Sequence, residues 1–489
     1  MKTTRYLILP ILLVIAALLA AGCTGTTGTG SAAASGTSSD SAVATTTAQA
    51  GSAPGGSPPS GTPPSGSPPS GAPPGGSGPG GAPPGSSSGS SSYTFNGTYT
   101  LNGGTATETN AQYASTTKDL SGVYVTNGGT LTLINPTIVT SGDTSSNDAS
   151  SFYGLNGAVL ANGGSTVIIT GGTITTTGSG ANGAIPTGTG TTISLTDVTI
   201  KASGGGGHGV MATNGGILLL KNVNIATTGA NGAPLATDRG SGTVTVTGGT
   251  ITSSGRDSPG IYSTGKITVT DAKITSFGTE AAVIEGFNTI TLTDTALTGG
   301  VEKTGGTMIY QSMSGDADVG TGTFTMTGGS YTSTAGPAFF VTNTNAVITL
   351  TGVSVTSASD TLFKAAATDR WGTSGRNGGT VTFTADNEKL TGSLVTDSIS
   401  SIAATLKNGS SLTGAINTAA LSLDATSTWT VTGDSALTSL SDASGIFGTT
   451  ITNIIGNGHT VTYNRSRVEN SALGGRTYTL ENGGTLTPT

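Results

Sequence analysis

The chain reads as an all-β protein: a right-handed, three-sided parallel β-helix set behind a signal peptide and a disordered Pro/Gly/Ser stalk. Three observations carry this reading. First, one strand core recurs from Val123 to Ser359, as in Thr130-Leu-Thr-Leu133, Thr192-Ile-Ser-Leu195, Thr243-Val-Thr-Val246 and Thr289-Ile-Thr-Leu292. Its period lies mostly in the twenties, which is the signature of a solenoid. Second, two residues past each core stands Gly, Asn or Asp, such as Asn135, Gly171, Asp197, Asn222 and Gly248. Only these residues enter the left-handed region cheaply, so every coil makes the same tight bend there. Third, a large apolar residue follows five past the core (Ile138, Ile174, Ile200, Ile225, Ile251), and a Gly usually follows nine past it. Each coil is therefore strand, left-handed bend, short strand, Gly corner and third strand. Leucine-rich repeats would need Leu at fixed offsets, and a sandwich domain needs about 100 residues per unit.

Taken in order, residues 1–22 carry a basic start (Lys2, Arg5) and the apolar run Leu7–Leu19. That run is shorter than the ~20 residues of a spanning helix. Ala20-Ala-Gly-Cys23 then places small residues before the only Cys of the chain. The arrangement resembles a prokaryotic lipobox, which implies cleavage before Cys23, acylation of its thiol, and display on the outer face of a cell envelope. A plain secretory signal or a short membrane anchor is the alternative. Residues 23–92 form a Thr/Ser/Gly/Pro-rich linker containing Ser57-Pro-Pro-Ser-Gly and its copies. Pro pairs hold polyproline II geometry, so the stalk is semi-rigid, reaching on the order of 100 Å at ~3.1 Å per residue. Residues 93–122 are expected to cap the solenoid, residues 123–445 to form it, and residues 446–489 to close it. Beyond Ser359 the phase loosens, with cores placed at Thr380-Val-Thr-Phe383, Ala403-Ala-Thr-Leu406 and Thr428-Trp-Thr-Val431.

Composition narrows the function. Only 9% of residues are charged, 81 are Gly, and the formal net charge is −7. Thr solvates the strands instead, being β-branched and still polar. No basic stripe exists, so nucleic acid is not an expected partner. No cofactor is expected, and Ca²⁺ has no motif to hold it, since the calcium-binding GGxGxDxUx nonapeptide is absent. A monomer is expected.

Three long insertions are the places to look for binding, because loops on a rigid scaffold usually carry it. Ser141–Leu155 holds Asp143, Asp148, Phe152 and Tyr153. Gln311–Gly322 holds Asp316 and Asp318. Ala366–Gly379 holds Asp369, Arg370, Trp371 and Arg376. The last two leave the same corner, two coils or roughly 10 Å apart. Asp238-Arg239, in Ala236-Thr-Asp-Arg239, shares that corner, and its tetrad returns as Ala367-Thr-Asp-Arg370. A Trp flanked by Arg and Asp can stack on a sugar ring while the charges take its hydroxyls. The competing reading makes Asp-Arg a solvated turn pair and lets Trp371 cover the coil edge. His208, Asp257, Glu280 and Glu285 flank the corner, but no Asp-Asp pair or Lys/Arg cluster accompanies them as a polysaccharide-cleaving site would require.

Lipobox, stalk and Gly/Thr-rich coils together resemble the adhesin-like parallel β-helix surface lipoproteins of prokaryotes, within the pectate-lyase-like solenoid superfamily. The similarity covers Tyr93 to the C-terminus in architecture and includes Gly209-Val-Met-Ala-Thr-Asn-Gly-Gly and Asp369-Arg-Trp-Gly-Thr-Ser-Gly. It implies a lipid-anchored protein that binds glycan or a neighbouring cell. A polysaccharide lyase or hydrolase and a structural envelope spacer are the alternatives.

Overall fold

The computed structural model describes residues 93–312 and 314–489; the expectations placed on residues 1–92, Cys23 among them, lie outside these. The described chain winds as a parallel β-solenoid of about 16 turns. Each coil gives one strand to each of three sheets. Sheet one stacks Thr105–Thr109, Thr130–Ile134, Thr166–Thr170, Thr192–Thr196 and their successors. Sheet two stacks Gln112–Ser115, Thr137–Thr140, Thr173–Thr176 and Thr199–Ala202. Sheet three stacks Asn96–Asn102, Leu120–Thr126, Val159–Ala161 and Ala184–Pro186. Residues 93–122 thus contribute a complete first coil, paired in register with the second.

The bend between sheets one and two is made as its residue types require. Asn135, Asp197, Asn222, Asp271 and Asp294 all sit at φ between 47° and 57°, and Gly171 and Gly248 take the same place. On sheet one burial alternates, with Val, Ile and Leu inside and mostly Thr outside; on sheet two the alternation also buries Thr140, Thr176 and Thr227. Each fully buried aliphatic side chain contributes about 1.5–3 kcal/mol, and stacking multiplies that along the axis. Towards the middle of the solenoid the core becomes aromatic. Phe339 stacks on Phe363 with ring centroids 4.7 Å apart, and Phe363 meets Phe383 at 4.4 Å. Tyr331 and Phe324 extend the column on its other side.

The Gly corner between sheets two and three has a different cause from the bend. Gly142, Gly178, Gly204, Gly229 and Gly255 form a ladder in which a Cβ on each would strike the backbone carbonyl one coil below. Backbone contact, rather than left-handed φ, excludes side chains there. Gly204→Ala is expected to lower stability by roughly 1–3 kcal/mol, read from the denaturant midpoint. Gly205→Ala, whose nearest heavy atom would be 3.8 Å away, should leave the midpoint unmoved. Equal midpoints for the two variants would remove this account of the corner.

After Ser359 the register differs from the spacing-based reading. Ile348 pairs with Phe383 and Leu350 with Ala385, so the core of that coil ends at Ala385, two residues later than expected. Leu406 holds its expected place and is followed by Leu423. Thr428–Thr430 belongs to sheet two, stacked on Ser411–Thr413. Trp429 is fully buried there and donates its indole N–H to the Gly414 carbonyl at 2.9 Å. Tyr478–Glu481 and Thr485–Pro488 end the chain as an antiparallel pair.

Candidate functional site

From Val159–Ala161 to Phe339–Thr342 sheet three is buried on both faces but for Asp238, Tyr262 and Tyr310, unlike the other two. Its outward residues form a continuous register row: Leu160, Ile185, Met211, Ala236, Tyr262, Val283, Met308, Phe340 and Lys364. An apolar outer row must be covered, and the three insertions cover it. The first supplies the helix Asn147–Tyr153, capped by the Ser146 side chain and by Gly154 at φ 81°. Thr213 Oγ1 and Asn214 Nδ2 donate to the Phe152 carbonyl at 2.9 and 2.7 Å, pinning the helix end to the sheet.

Arg239 joins this helix to the second insertion. Its guanidinium lies 3.7 Å from the centroid of the Phe152 ring and donates to Asp316 Oδ1 at 3.3 Å. The second insertion is held again by Glu285. That carboxylate is 1% exposed and accepts from the hydroxyls of Tyr262 (2.8 Å) and Tyr310 (2.9 Å), and from the amide N–H and hydroxyl of Ser312. Burial, together with the Glu285 charge, keeps both phenols protonated far into the basic range, so both remain donors. The third insertion returns over the same row. Trp371 packs on the Val283, Met308 and Phe340 cluster and meets Tyr310 with ring centroids 4.8 Å apart. Asn377 holds its turn by donating to the Thr368 and Trp371 carbonyls at 2.6 and 2.8 Å.

Between the third insertion and the turns at 256–259, 278–280 and 301–304 lies an open groove of about 410 Å³. Tyr262, Val283, Met308, Tyr310 and Trp371 form its floor and one end. Arg256, Asp257, Glu280, Lys303 and Arg370 stand around the rim. Arg256 is paired with Asp257 at 2.6 Å, and Glu280 accepts from the Thr279 and Thr304 hydroxyls. Among the described residues neither Lys303 nor Arg370 makes an ion pair. Arg370 instead lies 4.7 Å from the Trp371 ring centroid.

The expected site residues therefore separate. Arg370 and Trp371 line the groove. Asp238, Arg239 and Asp316 line no part of it; Arg239 instead ties the first insertion to the second. Asp369 and Asp318 are exposed, and Arg376 lines a second hollow with Val319, Asn345 and Ile399. The two Ala-Thr-Asp-Arg tetrads are not equivalent: the first closes the sheet-three strand Leu235–Asp238, and the second lies wholly in a loop beyond Thr361–Ala365. Of the flanking residues, His208 faces Asn182 at 3.1 Å, and burial lowers its pKa to about 4, leaving a neutral ring. Tyr262 and Tyr310 were not singled out by sequence. The signal for Tyr262 was an aromatic residue at an outward position where other coils carry Ile, Met or Ala; Tyr310 stands in the next outward column, in register with Glu285 and Thr342. Among the described residues no group of three or more His, Cys, Asp or Glu could hold a metal ion.

Asp238 is set apart electrostatically. Burial, reinforced by Asp316 and Glu285, raises its pKa to about 7 against the pull of the Arg239 backbone N–H. Burial raises Glu388 to about 7 as well; its one bonded oxygen accepts from the Val353 N–H at 2.7 Å. Both groups keep in the native state a proton that the unfolded chain releases near pH 4. Their stabilisation is complete below that point and is lost as pH rises through about 7. Thermal unfolding between pH ~4.5 and ~8.5 should therefore show a falling Tm, and Asp238→Asn and Glu388→Gln should each flatten the slope. A wild-type profile parallel to those of both variants would contradict the assignment.

Compared with known protein families, curated proteins and solved structures, the chain matches none. What the geometry itself defines is a β-solenoid bearing one aromatic, charge-rimmed groove over a sheet that its own insertions cover.

Proposed function

We propose that the chain is a glycan-binding surface protein, anchored through Cys23 and binding through the groove. The observation that carries this reading is the convergence of Tyr262, Tyr310 and Trp371, from three separate coils, on one open groove with charged side chains around it. Aromatic faces stack on the apolar faces of sugar rings, while rim carboxylates and guanidinium groups take hydroxyls. The groove is open to solvent, which suits a chain passing across it better than an enclosed small molecule. Arg370 already occupies part of the Trp371 face, so a sugar reaching that ring must displace it or stack beside it.

One observation favours a second reading, a polysaccharide-cleaving enzyme. Its candidate acid is Asp238, which burial and the neighbouring Asp316 and Glu285 raise, although it lines no part of the groove. Against it, every donor around Glu285 is already committed to that carboxylate. Native electrophoresis of the protein through gels cast with a panel of polysaccharides separates the readings. Retardation in one gel supports binding and names the ligand class. A cleared zone that Asp238→Asn abolishes makes the protein an enzyme, and free migration through every gel removes both.

A further inference from the structure

The outer face of sheet one carries an array that neither the groove nor simple solvation explains. Five successive strands, Thr243–Ser253, Lys266–Thr270, Thr289–Thr293, Thr321–Thr327 and Thr344–Thr351, pair there without slippage. Each presents three outward residues, and three register columns result, starting at Thr243, Thr245 and Thr247. Every member of the three columns is Thr except Lys266 and Val347. The columns repeat at ~4.8 Å along the axis and ~6.7 Å across it. Between them Val246, Val269, Leu292, Met326 and Leu350 point inward and are fully buried, which fixes the backbone beneath the array. Thr is stiff at χ1, so its hydroxyl and methyl hold set positions.

Solvation calls for polar strand-formers but is met equally by Thr mixed with Ser or Lys, whereas this face keeps Thr at all but two positions. Sheet two, on the same five coils, carries one Thr column beside a mixed one of Thr250, Lys273, Ala296, Ser330 and Ser354. Its order therefore runs in one dimension only. On sheet one the array is also bounded, because Ile168 and Leu219 interrupt the central column nearer the N-terminus. A linear polymer can use one column at a time; a two-dimensional lattice of hydroxyls and methyls matches the surface of a crystal. A crystalline polysaccharide would call for aromatic platforms, and this array has none. A mineral or a charged headgroup layer would call for charges, and Lys266 is the only one in it. Thr hydroxyls both donate and accept, and the two repeats lie close to the oxygen repeats on the prism face of ordinary ice. We propose that this face of sheet one binds ice, holding a layer of water in register with the crystal.

The test is the partition of the full-length protein into slowly growing ice, with crystal shape followed by microscopy. Wild type is expected to enter the ice and facet the crystals. The double variant Thr291→Lys, Thr325→Lys should be excluded like an ordinary solute, and Thr298→Lys, Thr332→Lys on sheet two should behave as wild type. If the first pair lowers the melting temperature, Thr268→Ala with Thr325→Ala replaces it. Exclusion of the wild type, entry of the sheet-one variants, or equal loss on both sheets would each overturn the proposal. So would adsorption to insoluble cellulose or chitin in place of ice.

Discussion

Trp371→Ala is expected to cost about thirty-fold in affinity for the retarding polysaccharide, on the order of 2 kcal/mol, while the fold stays intact. The ring lies in an insertion, and the Asn377 bonds to the Thr368 and Trp371 carbonyls hold that loop without the indole. What disappears is the end wall of the groove, the partner of Tyr310, and the surface over which Arg370 is held. Trp371→Phe keeps an aromatic face and should recover part of the affinity. The measurement is migration against polysaccharide concentration, with thermal unfolding as control. Unchanged migration of the Ala variant would exclude this groove as the binding site.

Phe363→Ala should be the most damaging single substitution in the core, lowering stability by roughly 3–5 kcal/mol. The ring is fully buried and stacked between Phe339 and Phe383, so truncation opens a cavity and breaks two aromatic pairs. In a solenoid each coil contacts only its neighbours, so a weak coil also separates the cooperative unit into two. Denaturant unfolding should then show a lower midpoint and a shallower transition. Retention of the wild-type midpoint would mean that the aromatic column carries little of the stability.

The coil was legible in the sequence because two local rules recur through its first half, broken on sheet one by residues such as the outward Ile168 and Leu219. The residue two past each core must tolerate left-handed φ, and on the first strand of each coil alternation assigns Thr mostly outside and aliphatic residues mostly inside. The same rule could have set the later register: Asn387 and Asn408, at φ 55° and 56°, mark Ala385 and Leu406 as the true core ends. The eye is drawn instead to Phe383, which looks like a core terminus and is followed two residues on by Ala. The candidate site was only partly legible. Trp371 and Arg370 announce themselves as rare residues in a Gly/Thr chain. The Arg239–Asp316 pair spans 77 residues, and Glu285 gathers donors from 23, 25 and 27 residues away. Such contacts depend on which coil lies over which, and no local pattern records that. The repeated Ala-Thr-Asp-Arg tetrad points the other way, as identical letters placed in unlike structure.

Arg239 and Glu285 also bear on how the molecule would carry mechanical load. A solenoid pulled from one end unravels serially, because each coil is retained only by the next. The Arg239 guanidinium, clasped between the Phe152 ring and Asp316, links coils that lie several turns apart on either side of it. Glu285 fastens the same loop a second time. Peeling that begins near Asn96 can proceed freely only until it reaches the helix Asn147–Tyr153. From there, tension also loads the Arg239 contacts across several coils at once, so peeling should pause at that helix.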